Sequence, residues 1–206
     1  MLSNTYFDRF ETPKYQNKNP VQRHLIRRFA RTIHALFVAA GPTRRVVEIG
    51  VGEGFLSGYL SEQFPEKQFT GVDADTPSID RLKRKFPRVD AHVGLIEELG
   101  FLQGPFDLVM CCEVLEHVND PRAALASLDS LGAPRLILSV PHEPFFMLSN
   151  LARGKNVTRL GNDPEHLHHW TKRGFRTFLE EQFDVLHIET SYPWIVALCG
   201  SRRRDK

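Results

Sequence analysis

The sequence has few cysteines, no long hydrophobic run and almost no excess of charge. It contains only three cysteines in 206 residues. Cys111 and Cys112 are adjacent, so a disulfide framework is excluded and a reduced, cytoplasmic setting is predicted. No stretch approaches the roughly 18 apolar residues of a membrane-spanning helix, and the first residues lack the apolar centre of a signal peptide. A net charge of +2 argues against a general polyanion binder.

The chain also lacks an internal repeat, a low-complexity tract and a recognisable linker. The simplest organisation is an N-terminal extension with one helix over residues 1–42, followed by one α/β domain over residues 43–206. Asn19-Pro20 predicts the N-cap and first residue of that helix, because Asn caps helices and Pro suits their first turn. Gly41-Pro42 predicts its end.

One face of this predicted helix is basic, and its arginines are Arg23, Arg27, Arg28 and Arg31. A solvated face is the simplest interpretation, because long basic side chains usually remain in water. The alternatives are a lid over a binding site or a contact for an acidic substrate.

Short apolar segments alternate with helical patterns along the rest of the chain. The predicted strands lie at 46–49, 68–72, 89–93, 106–111, 135–140, 183–189 and 194–199. The predicted helices lie at 54–63, 77–86, 121–131, 144–153 and 171–182. This alternation predicts an α/β fold with a mostly parallel, doubly wound sheet. The last two strands are joined by a short turn at Tyr192-Pro193, so they must pair as an antiparallel hairpin.

The most informative motif is a glycine-rich loop after the first strand. Gly50, Gly52 and Gly54 allow positive φ angles and a close approach of the backbone to a ligand. The spacing differs from the Gly-x-Gly-x-x-Gly dinucleotide fingerprint, and the loop carries the acids Glu48 and Glu53. Negative charge disfavours a phosphate group and favours a cationic ligand. S-adenosylmethionine (SAM), with its sulfonium and ammonium groups, is such a ligand.

A second acidic signal ends the second strand. Asp73 follows the buried residues Gly71-Val72, roughly 20 residues after the glycine loop, where a carboxylate can bind ribose hydroxyls. Asp75 is better placed to cap the next helix. Proteins that bind nicotinamide dinucleotides also use an acid here, so this residue indicates a nucleoside without identifying it.

The glycine loop, Gly71-Val72-Asp73 and the segment from Phe106 to His117 together resemble class I SAM-dependent methyltransferases, over about residues 45–200. The resemblance implies a seven-stranded sheet whose first four strand ends hold the cofactor. It implies that Leu95 borders the adenine, although many members have a polar residue there, and that Cys112 and Glu113 lie beside the methyl group. The cofactor-binding residues that it implies are Glu48, Gly50, Gly52, Asp73, Ala74, Leu95 and Cys112.

A cluster of acids and histidines follows the fourth strand. Glu113, Glu116 and His117 have the i, i+3, i+4 spacing that places side chains on one side of a helical turn. With His166, four residues before a Trp, they resemble the metal ligands of small-RNA 2′-O-methyltransferases; ubiquinone-pathway O-methyltransferases have related motifs. The resemblance implies Mg²⁺ or Mn²⁺ at Glu113, Glu116, His117 and His166. The alternative is the turn that follows this strand in many metal-free methyltransferases.

The chemistry that the resemblance implies is an in-line displacement at the sulfonium methyl group. His117 and Glu113 are the predicted catalytic residues, with His117 as general base for a hydroxyl acceptor. A metal that lowers the hydroxyl's pKa is the alternative. Phe145, Phe146 and Met147 form either an acceptor wall or ordinary core. Arg153, Lys155 and Arg159 lie in either a solvated loop or a lid over an anionic acceptor.

We therefore predict a methyltransferase that acts on a hydroxyl of a small molecule. The alternatives are an RNA 2′-O-methyltransferase, which the small net charge disfavours, and a non-catalytic SAM-binding module. A membrane span is not predicted, and the sequence does not indicate an oligomeric state.

Overall fold

The computed structural model describes residues 2–152, 158 and 166–202. The predicted basic loop with Arg153, Lys155 and Arg159 lies outside these residues. None of the described helices is long and apolar enough to cross a membrane.

The described core is a seven-stranded sheet with helices on both faces. The strands are β1 (Arg45–Ile49), β2 (Gln68–Asp73), β3 (Val89–Val93), β4 (Leu108–Cys112), β5 (Arg135–Pro141), β6 (Phe183–Ser191) and β7 (Trp194–Ser201). The helices are α1 (Asn4–Phe7), α2 (Pro13–Gln16), α3 (Pro20–Ala39), α4 (Phe55–Gln63), α5 (Thr76–Lys85), α6 (Pro121–Ser130), α7 (Phe145–Ala152) and α8 (Lys172–Leu179). A short 3₁₀ turn spans Leu99–Phe101.

The strand order is β3-β2-β1-β4-β5-β7-β6. Strands β1 to β5 are parallel, and β7 runs antiparallel between β5 and β6. The predicted doubly wound sheet with a C-terminal hairpin is therefore confirmed. The order reverses between β1 and β4, and ligands of open α/β sheets bind in the crevice at the carboxyl ends of strands beside such a reversal.

Two hydrophobic clusters cover the two faces of the sheet. One cluster joins residues 2–10 and helices α3, α4 and α5 to the sheet, and the other joins α6 and α8 to it. The central strands contribute to both clusters; Val46 faces the first and Val47 the second. Burial on both faces explains why these strands are continuous apolar runs.

The predicted start of β4 at residue 106 is two residues too early. The Asp107 carboxylate accepts hydrogen bonds from the backbone N–H groups of Arg44 (2.7 Å) and Arg45 (2.8 Å), so its side chain binds the start of β1. The parallel ladder begins only at Leu108.

Residues 2–17 form a strap, including α1 and α2, that packs on the domain. Tyr6, Phe7 and Phe10 are buried, and the Tyr6 hydroxyl donates to the Phe55 carbonyl oxygen at 2.8 Å. Sequence analysis missed both helices of the strap, since four residues are too short for a periodic pattern.

Helix α3 begins as predicted, because the Asn19 side chain accepts hydrogen bonds from the N–H groups of Val21 and Gln22. The expectation that its arginines form a solvated face is wrong for Arg23, which is only 7% exposed. Its guanidinium donates to the Asn4 and Asp8 side chains at 3.0 and 3.2 Å. Arg23 therefore holds the strap against α3.

Candidate functional site

The glycine loop lies at the carboxyl end of β1. All three of its glycines have positive φ angles, of 76° at Gly50, 51° at Gly52 and 82° at Gly54. A Cβ at Gly50 would lie 2.1 Å from Cγ2 of Val114, so no larger residue fits there. A Cβ at Gly52 would meet no atom within 4 Å, because this residue faces open space where a ligand can approach.

Glu48 is a buried carboxylate behind this loop, 3% exposed. It accepts hydrogen bonds from the Ser57 backbone N–H (2.9 Å) and from the Ser57 hydroxyl. Burial raises the pKa of Glu48 to about 7, and the bonds from Ser57 offset only part of that effect. A carboxylate with few compensating donors is stabilised in its ionised form by a cationic ligand.

Glu53 does not supply the negative charge that the sequence predicts for the ligand. Its side chain is fully buried and forms an ion pair with the Lys85 ammonium group. Arg81 Nε also lies 3.3 Å from the Glu53 carboxylate. Burial alone would raise its pKa, but the Lys85 ammonium, the Glu11 N–H (2.9 Å) and the Thr12 hydroxyl (2.8 Å) outweigh burial and lower the pKa to about 2. Glu53 thus fastens the strap to the loop.

Asp73 lies at the end of β2 and contacts the glycine loop. One carboxylate oxygen accepts from the Gly52 N–H at 2.7 Å, and the other from the Asp75 N–H at 2.9 Å. The Asp75 side chain accepts from the Ser78 N–H at 2.9 Å. The prediction that Asp75 caps the following helix is therefore confirmed.

Two cavities open on either side of the glycine loop. The first has a volume of about 370 Å³, and the predicted ribose and adenine residues Asp73, Ala74 and Leu95 line it. The second has a volume of about 200 Å³, and its lining includes Glu48, Gly52 and Cys112. Gly50 and Glu113 line both cavities. The two cavities form one elongated site over the carboxyl ends of β1, β2 and β4, with all seven predicted cofactor-binding residues at its walls.

The strap closes the second cavity with residues that sequence analysis missed. Thr12, Lys14 and Tyr15 line it, and the Tyr15 ring stacks on Phe55 with centroids 4.1 Å apart. These residues carry no motif, and only the packing of the strap brings them to the site.

Glu113 lies where the two cavities meet. Its φ angle of 62° is rare for a residue with a side chain. The carboxylate accepts hydrogen bonds from the Trp194 indole N–H and, at 3.4 Å, from the Ser139 hydroxyl. The Lys14 ammonium nitrogen lies 4.0 Å away. Burial raises the pKa of Glu113, and Lys14 and Trp194 partly oppose that rise.

Three of the four predicted metal ligands come together. Glu116, His117 and His166 each offer a ligand atom within 4.8 Å of the others. Within the described part of the chain, neither buried carboxylate oxygen of Glu116 has a hydrogen-bond partner, and burial together with Glu113 raises its pKa. Glu113 does not join this group, because its carboxylate is held by Trp194 and Ser139.

The histidine segment after residue 165 is held beside Glu116. The N–H groups of Leu167 and His168 contact the Glu116 carbonyl oxygen, at 2.8 and 3.3 Å. The His168 ring nitrogen Nε2 forms a hydrogen bond of 2.9 Å with the Val118 carbonyl oxygen. The His169 ring nitrogen Nδ1 lies 3.9 Å from the buried carboxylate of Glu143.

Comparison with known proteins agrees with this geometry. A family model described as a methyltransferase domain matches residues 21–188. The chain is 32% identical over 120 residues to a malonyl-[acyl-carrier protein] O-methyltransferase of Magnetococcus marinus, covering 57% of this chain and 44% of that protein. It is 32% identical over 142 residues to a ubiquinone biosynthesis O-methyltransferase of Hahella chejuensis, covering 65% and 58%. The chain thus spans about half the length of the curated relatives it matches.

A solved structure extends the comparison over nearly the whole fold. Magnesium protoporphyrin IX methyltransferase from Synechocystis PCC 6803, with bound SAH, superposes with a TM-score of 0.70 at 22% identity, covering 96% of this chain and 94% of that chain. This likeness concerns the fold. The family model covers most of the present sequence, and the chain therefore belongs to the methyltransferase domain family, as the resemblance in its motifs predicts.

Proposed function

We propose that this protein transfers a methyl group from SAM to a hydroxyl group of a small molecule. The observation that carries the proposal is the elongated site, whose two cavities meet at Gly50 and Glu113. One cavity has the dimensions and the acid for an adenosine, and the other has a buried carboxylate for a cationic amino acid. The matched relatives, both named as O-methyltransferases, support oxygen as the target.

The proposed cofactor position assigns one group to each part of the site. Asp73 accepts hydrogen bonds from the ribose hydroxyls, while Ala74 and Leu95 border the adenine. Glu48 faces the ammonium group, and Gly50 and Gly52 allow the chain of the amino acid to pass close to the backbone. Cys112 and Glu113 then lie beside the sulfonium, where the methyl group leaves.

The residues after β4 are proposed to prepare the acceptor. Glu116, His117 and His166 fit a divalent cation such as Mg²⁺ or Mn²⁺, because a buried carboxylate that has no hydrogen-bond partner among the described residues lies beside two imidazoles. A bound cation would lower the pKa of an acceptor hydroxyl. In the alternative role His117, whose side chain is 40% exposed, removes the hydroxyl proton as general base. The two roles are exclusive for one ring nitrogen, since each needs the same lone pair.

The transfer itself is then mainly a matter of positioning. The acceptor oxygen attacks the methyl carbon in line with the departing sulfur, its proton passes to the base, and SAH remains. The ring of Phe146 lies 5.1 Å from that of His166, and the preceding residue, Phe145, is 43% exposed. Both rings can serve as an apolar wall for an acceptor.

The test combines ligand binding with product analysis. SAM and SAH are expected to raise the melting temperature, whereas NAD is not. Radiolabelled SAM is then incubated with phenols, alcohols, carboxylates, amines and a short RNA. Label on a phenol or alcohol supports the proposal, and label only on another group contradicts it. Binding without transfer to any acceptor indicates a non-catalytic module. Transfer to RNA with a steep salt dependence indicates the RNA alternative.

The metal ligands have a separate test with a matched control. After chelation, added Mn²⁺ is expected to raise the melting temperature of the wild type but not of Glu116→Gln. Glu143→Gln is the control, because Glu143 is also buried and one of its oxygens also has no hydrogen-bond partner among the described residues. A Mn²⁺ response that survives in Glu116→Gln would remove this residue from the ligand set.

A further inference from the structure

Lys14 is the one cation among the described residues that line the second cavity. It belongs to α2 of the strap and is 38% exposed at its side chain. Its ammonium nitrogen lies 4.0 Å from Glu113 and 5.3 Å from the centre of the Trp194 ring. At 4.0 Å the contact with Glu113 is an ion pair without a hydrogen bond. Within the described residues, the three N–H donors of Lys14 have no hydrogen-bond acceptor.

The charged side chains around this cavity are equal in number and opposite in sign to the charged groups of the proposed cofactor. Glu53 is neutralised by Lys85 and Arg81, so two acids, Glu48 and Glu113, remain. SAM brings two cationic groups, the sulfonium and the ammonium, and one carboxylate. The two acids can pair with the two cations, and Lys14 is the one cation among the described lining residues that can pair with the carboxylate. A buried carboxylate without a partner is costly, so the site requires a donor for it.

The position of Lys14 along the site suits it to donate to the cofactor carboxylate. The adenosine end lies in the first cavity, so the amino acid extends beneath the strap in the second. Lys14 reaches the second cavity from the strap and lines it together with the glycine loop. It also precedes residues 21–188, so the family model does not assign it a role.

We propose that Lys14 binds the carboxylate of the cofactor's amino acid, an inference that rests on the proposed function. The cofactor then joins the strap to the glycine loop through a charge-assisted hydrogen bond. The occupied site holds the strap closed, and an empty site leaves Lys14 with the longer contact to Glu113 and its contacts with the Tyr15 and Trp194 rings. The competing interpretation is that Lys14 merely neutralises Glu113 and must move away when a cationic cofactor arrives.

The test compares two ligands that differ only in the carboxylate. SAH and decarboxylated SAH share the adenosine, the thioether and the amine. Calorimetry on the full chain measures both ligands with wild type, Lys14→Met and Lys14→Arg. Lys18→Met is the matched control, because Lys18 is an exposed cation that follows α2 and does not line the cavity.

Lys14→Met is expected to weaken SAH binding by about tenfold or more, the typical effect of losing a hydrogen bond to a charged group. It should leave decarboxylated SAH unchanged, Lys14→Arg should restore part of the SAH affinity, and Lys18→Met should behave as wild type. Unchanged or tighter SAH binding by Lys14→Met would overturn the proposal, as would equal weakening of both ligands, which indicates a role in folding the strap. If the wild type binds neither ligand, the proposed function fails first and this inference with it.

Discussion

The Asp73 carboxylate accepts a hydrogen bond of 2.7 Å from the backbone N–H of Gly52. This contact joins the end of β2 to the middle of the glycine loop, 21 residues earlier in the chain. The acid proposed to bind the ribose thus also fixes the loop proposed to carry the amino acid. The Asp73 side chain, which lines the first cavity, is thus bonded to Gly52, which lines the second.

Asp73→Ala is therefore expected to weaken SAH binding by about tenfold or more, because it removes charged hydrogen bonds to the ribose and loosens the loop. Calorimetry measures the affinity. Asp75→Ala is the control: Asp75 caps α5, so its loss should lower the melting temperature while SAH affinity is kept. If Asp73→Ala binds SAH as the wild type does, the ribose assignment is wrong.

The contacts of individual residues explain which features the sequence could predict. The strands, the hairpin, the glycine loop and the Asp75 cap depend on neighbours within a few positions, and patterns of that range are visible in a sequence. The partners of Glu53 and Glu113 are distant: Lys85 lies 32 residues after Glu53, and Trp194 lies 81 residues after Glu113. Motif spacing carries no information on such pairs.

The strap illustrates the same limit. Its two short helices are stabilised by tertiary contacts, such as the bond from the Tyr6 hydroxyl to the Phe55 carbonyl and the ion pair between Arg23 and Asp8. An isolated helix of four residues is unstable in water. The places of Lys14 and Tyr15 in the site follow from that packing, and local propensity does not predict them.

The open space beside Gly52 gives a test of ligand approach. Gly52→Ala and Gly132→Ala place an alanine at φ angles of 51° and 70°, and neither new Cβ meets an atom within 4 Å. Both should lose about 1 kcal/mol of stability, or roughly 2–4 °C in melting temperature, because an alanine at positive φ is strained.

Only Gly52→Ala should also weaken SAH binding, since its methyl group enters the cavity proposed for the amino acid. Calorimetry and thermal melting on both variants separate the two effects. Equal SAH affinity in the two variants would show that the ligand does not approach Gly52.

The contacts of Glu53 are expected to hold the strap against the glycine loop. Glu53→Gln removes the charge that pairs with Lys85 and Arg81, so the segment before residue 18 should be cleaved faster in limited proteolysis. Glu62→Gln is the control, because its ion pair with Arg9 is at the surface, where Glu62 is 46% exposed, and such pairs contribute little. Similar cleavage of the wild type and Glu53→Gln would indicate that the other contacts of the strap, such as those of Tyr6 and Arg23, hold it without Glu53.

The same acid gives a dependence on pH. The folded-state pKa of Glu53, about 2, lies below its ordinary value of 4.5. Its contribution to stability is therefore complete above about pH 4.5 and is lost as the pH falls toward 2. The stability difference between wild type and Glu53→Gln, measured by denaturant unfolding, should shrink over that interval.

Glu48 should show the opposite dependence. Its folded-state pKa of about 7 lies above the ordinary value of 4.5, so the folded protein binds an extra proton between these two pH values. The contribution of Glu48 to stability then falls as the pH rises from about 4.5 to 7 and is lowest above that range. Glu48→Gln, which stays neutral, should be more stable than the wild type at pH 8 by roughly 1–3 kcal/mol, with the difference vanishing near pH 4.

A cationic cofactor should reverse this cost, because its ammonium group stabilises the ionised Glu48. SAM affinity is expected to rise as the pH increases through about 7, and calorimetry in buffers of different ionisation enthalpy should detect a proton released on binding. Glu48→Gln should lose both the pH dependence and the proton release, and should bind SAM more weakly at pH 8. Binding that is independent of pH in the wild type would place the ammonium group away from Glu48 and require another acid of the cavity, such as Glu113, to receive it.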